Sequence, residues 1–255
     1  MGRSIRNSLT FRRLVSSDFS SNRLTVRKQG VGSSVGKHTR RALISFGAFV
    51  AAVLAASVYM VVEGYVLAPR ALQKADQRPM PLKVSALTAE QQRILLTVQD
   101  PNFYTHCGVD LSPSGGVWTT ITQGLVKQLY FRNFRPGFLR LGKVRQNFLA
   151  IGFNRRVPKD EQLRLFINCA YLGHPSDRAV YGFEDGAHTY FRKSFAELSR
   201  DEYLGLVATI VSPATLNPMA HRLENRDRVS RINRLLNGEC SRLGKSDVFY
   251  DGCAK

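Results

Sequence analysis

The chain has 255 residues, of which 44% are hydrophobic and 22% are charged. This length supports one or two domains with cores of their own and excludes a miniprotein that depends on disulfides. The composition excludes a low-complexity or largely disordered chain. The net charge of +18 favours polyanionic partners such as nucleic acid, anionic lipid or phosphorylated substrates.

Half of the excess positive charge lies in the first 41 residues. This segment has ten Lys or Arg residues against one acid, Asp18, and it is rich in Ser and Gly. It shows no sustained apolar period, which is typical of a solvated segment. The sequence therefore predicts a basic, disordered tail over residues 1–41.

Residues 42–62 form an uncharged, largely apolar segment of 21 residues. As an α-helix it would extend about 30 Å, the thickness of a bilayer core. The alternatives are a buried core helix and a cleaved signal peptide, but the segment is long for the first and lies behind a long basic lead for the second. Basic residues before the segment place the N-terminus in the cytoplasm. We expect a transmembrane signal-anchor helix over 42–66 and a linker over 67–84.

Four cysteines follow the apolar segment, and they form neither a CxxC motif nor a Cys/His metal pattern. The sequence therefore gives little support to a zinc site. Cys240 and Cys253 are close enough to bridge a C-terminal loop, whereas Cys169 falls inside an apolar helix and is expected to be buried and free. The redox state of the cysteines, including the disulfide state of Cys240 and Cys253, stays open.

The region from about residue 80 to 238 has helical patterns with few period-two stretches. Capping boxes at Thr88–Gln91 and Ser199–Glu202 each precede an apolar run. Pro158 suits the first turn of another helix and Gly173 its end. A further helix is expected over 225–238, which carries one apolar stripe. The fold class is therefore mainly α.

Four sequence blocks in this region occur in an order that is typical of one enzyme family. They are Val98–Asp110 (VQDPNFYTHCGVD), Gly115–Lys127 (GGVWTTITQGLVK), Gly142–Ala150 (GKVRQNFLA) and Lys159–Gly173 (KDEQLRLFINCAYLG), the last followed by YGFEDGAHTYFRK. In order and wording they resemble glycosyltransferase family 51, the peptidoglycan transglycosylase domain of monofunctional transglycosylases and class A penicillin-binding proteins. The resemblance predicts such a domain over 85–238, followed by a C-terminal tail over 239–255.

The resemblance implies a lysozyme-like, two-lobed helical domain behind one transmembrane helix. It also implies a location on the outer face of the bacterial inner membrane, with the N-terminus in the cytoplasm. Members of the family transfer a lipid-linked glycan onto the 4-hydroxyl of lipid II, and undecaprenyl pyrophosphate leaves. A sugar hydroxyl is a poor nucleophile, and a general base contributes roughly 10²–10⁴ in rate.

The catalytic positions of the family are altered in this chain. The first block of the family begins Glu-Asp, and its Glu is taken to be the general base, but Gln99 stands at that position before Asp100. Gln146 likewise replaces the Glu of the third block. An amide cannot take up the proton of a hydroxyl. Asp100 and His106 match the family and are alternative bases, although His106 is expected mainly to hold the first block by hydrogen bonds.

The residues that would hold a pyrophosphate are largely kept. Cations and hydroxyls suit a diphosphate, and Lys127 matches the family's second-block lysine. The resemblance assigns substrate binding to Lys127, Thr119, Thr120, Thr122, Gln123, Lys143, Arg145 and Asn168. It implies no cofactor, and a divalent cation at the pyrophosphate stays open without support from the sequence.

Three functions are consistent with these features. The first is a membrane-anchored homologue that binds lipid II or nascent glycan strands in cell-wall assembly, with reduced or no polymerase activity. The second is an active, divergent peptidoglycan glycosyltransferase. The third is a scaffold or adaptor that acts through its basic tail. Other cell-wall synthesis enzymes are further candidate partners, and nucleic acid is not expected as one.

Overall fold

A computed structural model describes residues 32–112, 116–131, 134, 141–175 and 178–254, and for 32–37 it describes the backbone alone. The chain divides into two compact units, 1–49 and 50–255. Most of the expected basic tail, residues 1–31, lies outside the described residues. Residues 32–41, which the sequence analysis assigned to that disordered tail, are instead helical.

The apolar segment lies within one long helix, α1 (Gly32–Asp76). The part from His38 to Asp76 is long and apolar enough to cross a membrane, with a mean hydropathy of 2.1 in its most apolar window and no residue of that window buried. The helix continues ten residues beyond the expected span of 42–66. Part of the expected linker is therefore helical, and Ala68, Ala71 and Ala75 are buried there.

The rest of the described chain is mainly α, as the sequence predicts. Seven further helices are described, α2 (Ala89–Gln99), α3 (Ile121–Tyr130), α4 (Leu141–Arg156), α5 (Lys159–Cys169), α6 (Phe183–Phe191), α7 (Arg200–Thr209) and α8 (Arg222–Leu236). Two short strands, β1 (Tyr171–Gly173) and β2 (Val180–Tyr181), pair antiparallel between α5 and α6. The core is one cluster of aliphatic and aromatic side chains drawn from all of these helices and from the C-terminal segment.

Helix starts follow the capping signals, whereas two helix ends differ from expectation. The capping boxes at Thr88 and Ser199 are both formed. Pro158 is the N-cap of α5, but α5 ends at Cys169 and not at Gly173. Gly173 instead lies in β1 with a φ of 123°, a conformation that favours glycine. The last long helix begins at Arg222 and ends at Leu236, slightly earlier than the expected 225–238.

Asp100 fixes the end of α2 against the start of α3. Its side chain is fully buried. One carboxylate oxygen accepts the backbone N–H of Ile121 at 2.9 Å, and both lie within hydrogen-bond distance of His106 Nε2. Because α2 ends here, Gln99 is the last residue of the helix.

Helix α4 packs closely against the C-terminal half of α1. A Cβ atom on Gly64 or on Gly152 would collide with backbone of the opposite helix, so the two backbones are in direct contact. Tyr130 donates a hydrogen bond of 2.7 Å to the Gly64 carbonyl, and Glu63 pairs with Arg145 at 2.6 Å. These contacts fix the orientation of the third sequence block.

The C-terminal segment is a closed loop that packs on the domain. Cys240 and Cys253 form a disulfide with Cα atoms 5.3 Å apart, which confirms the pairing that their spacing allowed. Cys169 is buried and free, also as expected, and Cys107 is free and exposed. We call residues 239–254 the C-terminal loop.

Candidate functional site

Residues of the first and second sequence blocks meet in a cavity of about 270 Å³. One wall is the end of α2 with Val98 and Gln99. A second wall is the segment from Val117 to Lys127, which includes the start of α3. The third wall combines α8 with the C-terminal loop. The cavity is therefore built from motif residues on two sides and from residues outside the four blocks on the third.

Gln99, which the sequence analysis aligned with the family's general base, lies in the cavity wall. Its side chain is half-buried, and Nε2 donates a hydrogen bond of 3.3 Å to the Val207 carbonyl on α7. The amide oxygen of Gln99 is left as a neutral acceptor. It can accept a hydrogen bond from a sugar hydroxyl but cannot take its proton.

Neither Asp100 nor His106 is placed to replace the missing base. The backbone N–H of Gly108 donates to His106 Nδ1 at 3.0 Å, so this nitrogen lacks a proton, and Nε2 carries the proton that is donated to Asp100. Both ring nitrogens are thus engaged within the first block. The Asp100 carboxylate is fully buried and does not line the cavity.

No carboxylate lines this cavity within the part of the chain that the structure describes. The lining side chains are apolar, hydroxyl, amide or cationic. Asp110, the other acid of the first block beside Asp100, is buried and accepts hydrogen bonds from the Asn102 side chain and the Ser112 backbone. A site with this lining can hold an anion or a polar sugar, but it offers no proton acceptor of the carboxylate type.

Two lysines converge on the second wall. Lys127 is exposed and has no hydrogen-bond or ion-pair partner among the described residues. Lys143 Nζ donates to Thr119 Oγ1 at 3.1 Å. Burial and the nearby charge of Lys127 lower the pKa of Lys143 to about 8. An anion between the two side chains would favour the charged form of Lys143.

The other hydroxyl and amide residues of the second block mainly hold α3 in place. Thr120 and Gln123 form a third capping box, at the start of α3. Thr122 donates to Gln162 on α5 at 2.6 Å, and Gln123 Nε2 donates to Asn147 on α4 at 2.6 Å. Thr120 alone of these residues also lines the cavity.

Three further predicted site residues lie away from the cavity wall. Gln146 is buried between α3 and α4, where Nε2 donates to the Gln123 carbonyl at 2.6 Å. Arg145 is paired with Glu63 of α1. Asn168 is buried and bonds both backbone groups of Leu82. Each of these three side chains contacts another part of the fold, and none of them lines the cavity.

The third wall contains residues that the sequence analysis did not assign to the site. They are Arg228 on α8 and, on the C-terminal loop, Arg242, Lys245, Val248 and Tyr250. The cysteine spacing indicated a closed loop at 240–253. It carried no signal for the surface on which that loop packs, because the docking contacts are far apart in sequence.

Comparison with known proteins identifies the family. The transglycosylase family profile matches residues 68–237. The chain belongs to this family of transglycosylases. Similar proteins include penicillin-binding protein 1F of Bacillus subtilis, which is 28% identical over 185 residues, covering 68% of this chain and 25% of that protein. Penicillin-binding proteins 1A of Pseudomonas aeruginosa and Escherichia coli are 30% and 28% identical, over 60% and 58% of this chain.

The match confirms the resemblance to glycosyltransferase family 51 that the four blocks indicated. The chain spans about a quarter of the length of the B. subtilis relative and about a fifth of the P. aeruginosa and E. coli relatives. The matched range also includes the last turns of α1 and nearly all of the helical domain. Within this transglycosylase domain, the cavity beside Gln99 is the candidate functional site.

Proposed function

We propose that this protein is a membrane-anchored, peptidoglycan glycosyltransferase-like protein that binds lipid II or a nascent glycan strand and polymerises lipid II slowly or not at all. The observation that carries the proposal is the cavity itself. It presents Gln99 where the resemblance places a carboxylate of the family, and it keeps the cation of Lys127, which has no partner among the described residues.

Binding is supported by the chemistry of the second wall. Lys127 and the Lys143–Thr119 pair offer two ammonium groups and a hydroxyl, which suit the oxygens of a pyrophosphate. Trp118 lines the same cavity with about half of its surface exposed. An apolar ring beside convergent polar groups is typical of a ligand site. A lipid-linked sugar pyrophosphate combines both features.

Reduced catalysis is supported by the first wall. Gln99 donates to a backbone carbonyl, Asp100 is buried, and both nitrogens of His106 are engaged. Without a proton acceptor the acceptor hydroxyl attacks unassisted, which costs roughly 10²–10⁴ in rate. An active divergent enzyme would need a base from the substrate or from outside the described residues.

The helix α1 and the charge distribution support a membrane location. We propose that α1 crosses the inner membrane once, with the basic N-terminus inside and the domain outside. Reporter fusions before Arg40 and after Lys255 test this orientation. The C-terminal fusion should be active outside the membrane and the N-terminal fusion inside. Opposite labelling would contradict the proposal, because lipid II is polymerised on the outer face.

Lipid II binding is tested with the purified full-length protein in detergent. The change is Lys127→Gln, which removes the charge and keeps the length of the side chain. We expect the Kd for fluorescent lipid II to rise at least about tenfold, the loss of one hydrogen bond to a charged group. Lys83→Gln is the matched control, since Lys83 is exposed and lies outside the cavity.

The two variants separate specific binding from general charge. Loss in Lys127→Gln with unchanged binding in Lys83→Gln supports a pyrophosphate contact at Lys127. Equal affinity in all three proteins would refute that contact. Wild-type protein without measurable lipid II affinity would overturn the binding proposal and leave a scaffold function to be tested by removing residues 1–41.

A further inference from the structure

The third wall of the cavity carries a cluster of cations that is distinct from Lys127. Arg228 comes from α8, and Arg242 and Lys245 come from the C-terminal loop. We infer that these three residues form an oxyanion-binding site, which takes a phosphate or carboxylate group of a ligand in the cavity. The inference rests on contacts of this wall and does not depend on lipid II being the ligand.

Arg228 is a buried charge without an acidic partner among the described residues. Its side chain is only 3% exposed, and Nε and Nη1 are both buried without a hydrogen-bond partner. The guanidinium lies 4.8 Å from the centre of the Tyr250 ring. Burial lowers the pKa of Arg228 to about 10. The charge of Asp247 acts on Arg228 from a distance and raises its pKa, but no described acid forms an ion pair with it. A buried cation normally has a paired anion, so the two unpartnered donors point to a ligand.

Neighbouring acids on this side are already engaged. Asp227 and Asp251 both pair with Arg231, at 2.9 and 2.7 Å. Asp247 accepts the backbone N–H groups of Leu243, Asp251 and Gly252 within the C-terminal loop. Glu224, one turn before Arg228 on α8, is exposed and forms no ion pair among the described residues. No described carboxylate is therefore paired with Arg228.

Arg242 and Lys245 extend this charge to the cavity surface. Arg242 Nη2 donates to the carbonyls of Thr97 and Val98 at 3.0 and 2.8 Å, which fixes the guanidinium at the end of α2. Its Nε and Nη1 have no partner among the described residues. Lys245 Nζ makes a single hydrogen bond of 3.3 Å, to the Asp110 carbonyl. Both groups thus keep donors available for an oxyanion.

The loop holds these donors in a fixed position. The Cys240–Cys253 disulfide closes it, and Tyr250 Oη donates to the Val98 carbonyl at 2.7 Å. Tyr250 belongs to the loop, is 1% exposed and packs against the end of α2. A preorganised set of cations loses little side-chain entropy when an anion binds.

The test is a titration of the full-length protein in detergent with inorganic phosphate and, separately, with acetate at constant ionic strength. Binding is followed by NMR of the Arg Nε–H signals, with those of Arg228 and Arg242 assigned by substitution. We expect saturable shifts of both signals with at least one of the two anions. Tighter phosphate binding indicates a phosphate group as the occupant, and tighter acetate binding indicates a carboxylate.

Lys245→Gln is the main variant, because it removes only one hydrogen bond of 3.3 Å and should leave the fold intact. It should weaken anion binding at this wall at least about threefold, and Arg242→Gln at least about tenfold, while Lys83→Gln should leave it unchanged. Reduction of the disulfide should weaken it as well, since the loop carries two of the three cations. Absence of saturable shifts with either anion, or equal affinities in wild type and Lys245→Gln, would overturn the inference. Failure of lipid II binding alone would leave it standing.

Discussion

Gln146→Glu restores a carboxylate of the family, and the structure predicts that it destabilises the protein. Gln146 is 1% exposed, Nε2 donates to the Gln123 carbonyl at 2.6 Å, and Oε1 is buried without a partner. A carboxylate here would place negative charge beside a carbonyl oxygen. No cation among the described residues hydrogen-bonds Gln146 to offset that charge. The introduced Glu is therefore expected to stay protonated in the folded protein.

The magnitude follows from proton linkage. An unfolded Glu has a pKa of about 4.3, and burial raises the folded pKa above that value. Above about pH 4.3 the unfolded state releases the proton and the folded state keeps it, so the free energy of unfolding falls as pH rises towards the folded pKa. At pH 7 the loss is up to about 3.7 kcal/mol, and at pH 5 about 1 kcal/mol. Near pH 4 the neutral acid can still donate to Gln123, and the loss is small.

Thermal unfolding in detergent, followed by circular dichroism at pH 5 and pH 7, measures this effect. We expect the Tm of Gln146→Glu to lie roughly 5–10 °C below wild type at pH 7 and much closer to it at pH 5. Gln77→Glu is the matched control, because Gln77 is exposed and should tolerate the charge at both pH values. A Gln146→Glu protein as stable as wild type at pH 7 would refute the reasoning and show that the site accepts an ionised carboxylate.

Three other predictions follow from the packing and the charges. Gly152→Ala should lower Tm by several degrees, because a Cβ there collides with the Val61 carbonyl, and an unchanged Tm would contradict the close packing of α1 and α4. The Lys143 amine should titrate near pH 8 in NMR of labelled lysine, and Lys127→Gln should raise that pKa. An ordinary pKa near 10.5 in wild type would contradict the burial of Lys143 and its proximity to Lys127. Cys240→Ser should cost about 2–4 kcal/mol of stability, and a protein whose unfolding is unaffected would show that the loop docks without its disulfide.

The sequence predicts those features of the fold that depend on neighbours along the chain. The capping boxes at Thr88 and Ser199 correctly mark helix starts, because both partners of each box lie within four residues. The Cys240–Cys253 pair was foreseeable for the same reason. The predicted end of α5 at Gly173 was wrong. The helix ends at Cys169, and Gly173 lies in the strand β1, where its positive φ favours glycine.

Side-chain direction could not be predicted from the motifs. The third block placed Gln146 among the altered catalytic positions, but the structure buries its amide against the Gln123 carbonyl. Asp100 remained a candidate base until its burial and its bond to Ile121 were known. The docking of Arg242 joins residues separated by 144 positions in sequence. Such pairings depend on how helices pack and leave no local pattern.

Gly124 shows where an altered motif changes the cavity itself. The family has paired glutamines in the second block, and this chain has Gln123 followed by Gly124. Gly124 lines the cavity, and a Cβ built there has only a Phe166 ring atom at 4.0 Å. The missing side chain therefore leaves space in the wall, and nothing in the packing requires a glycine at this position.

Polymerisation of lipid II by the purified full-length protein tests the central claim most directly. Glycan-chain formation is measured beside an active penicillin-binding protein of the same family under identical conditions. With Gln99 in place of the general base, the account predicts a rate at least about a hundredfold below that of the relative, and a partial gain in Gln99→Glu. A wild-type rate within tenfold of the relative would contradict the claim that catalysis is strongly reduced.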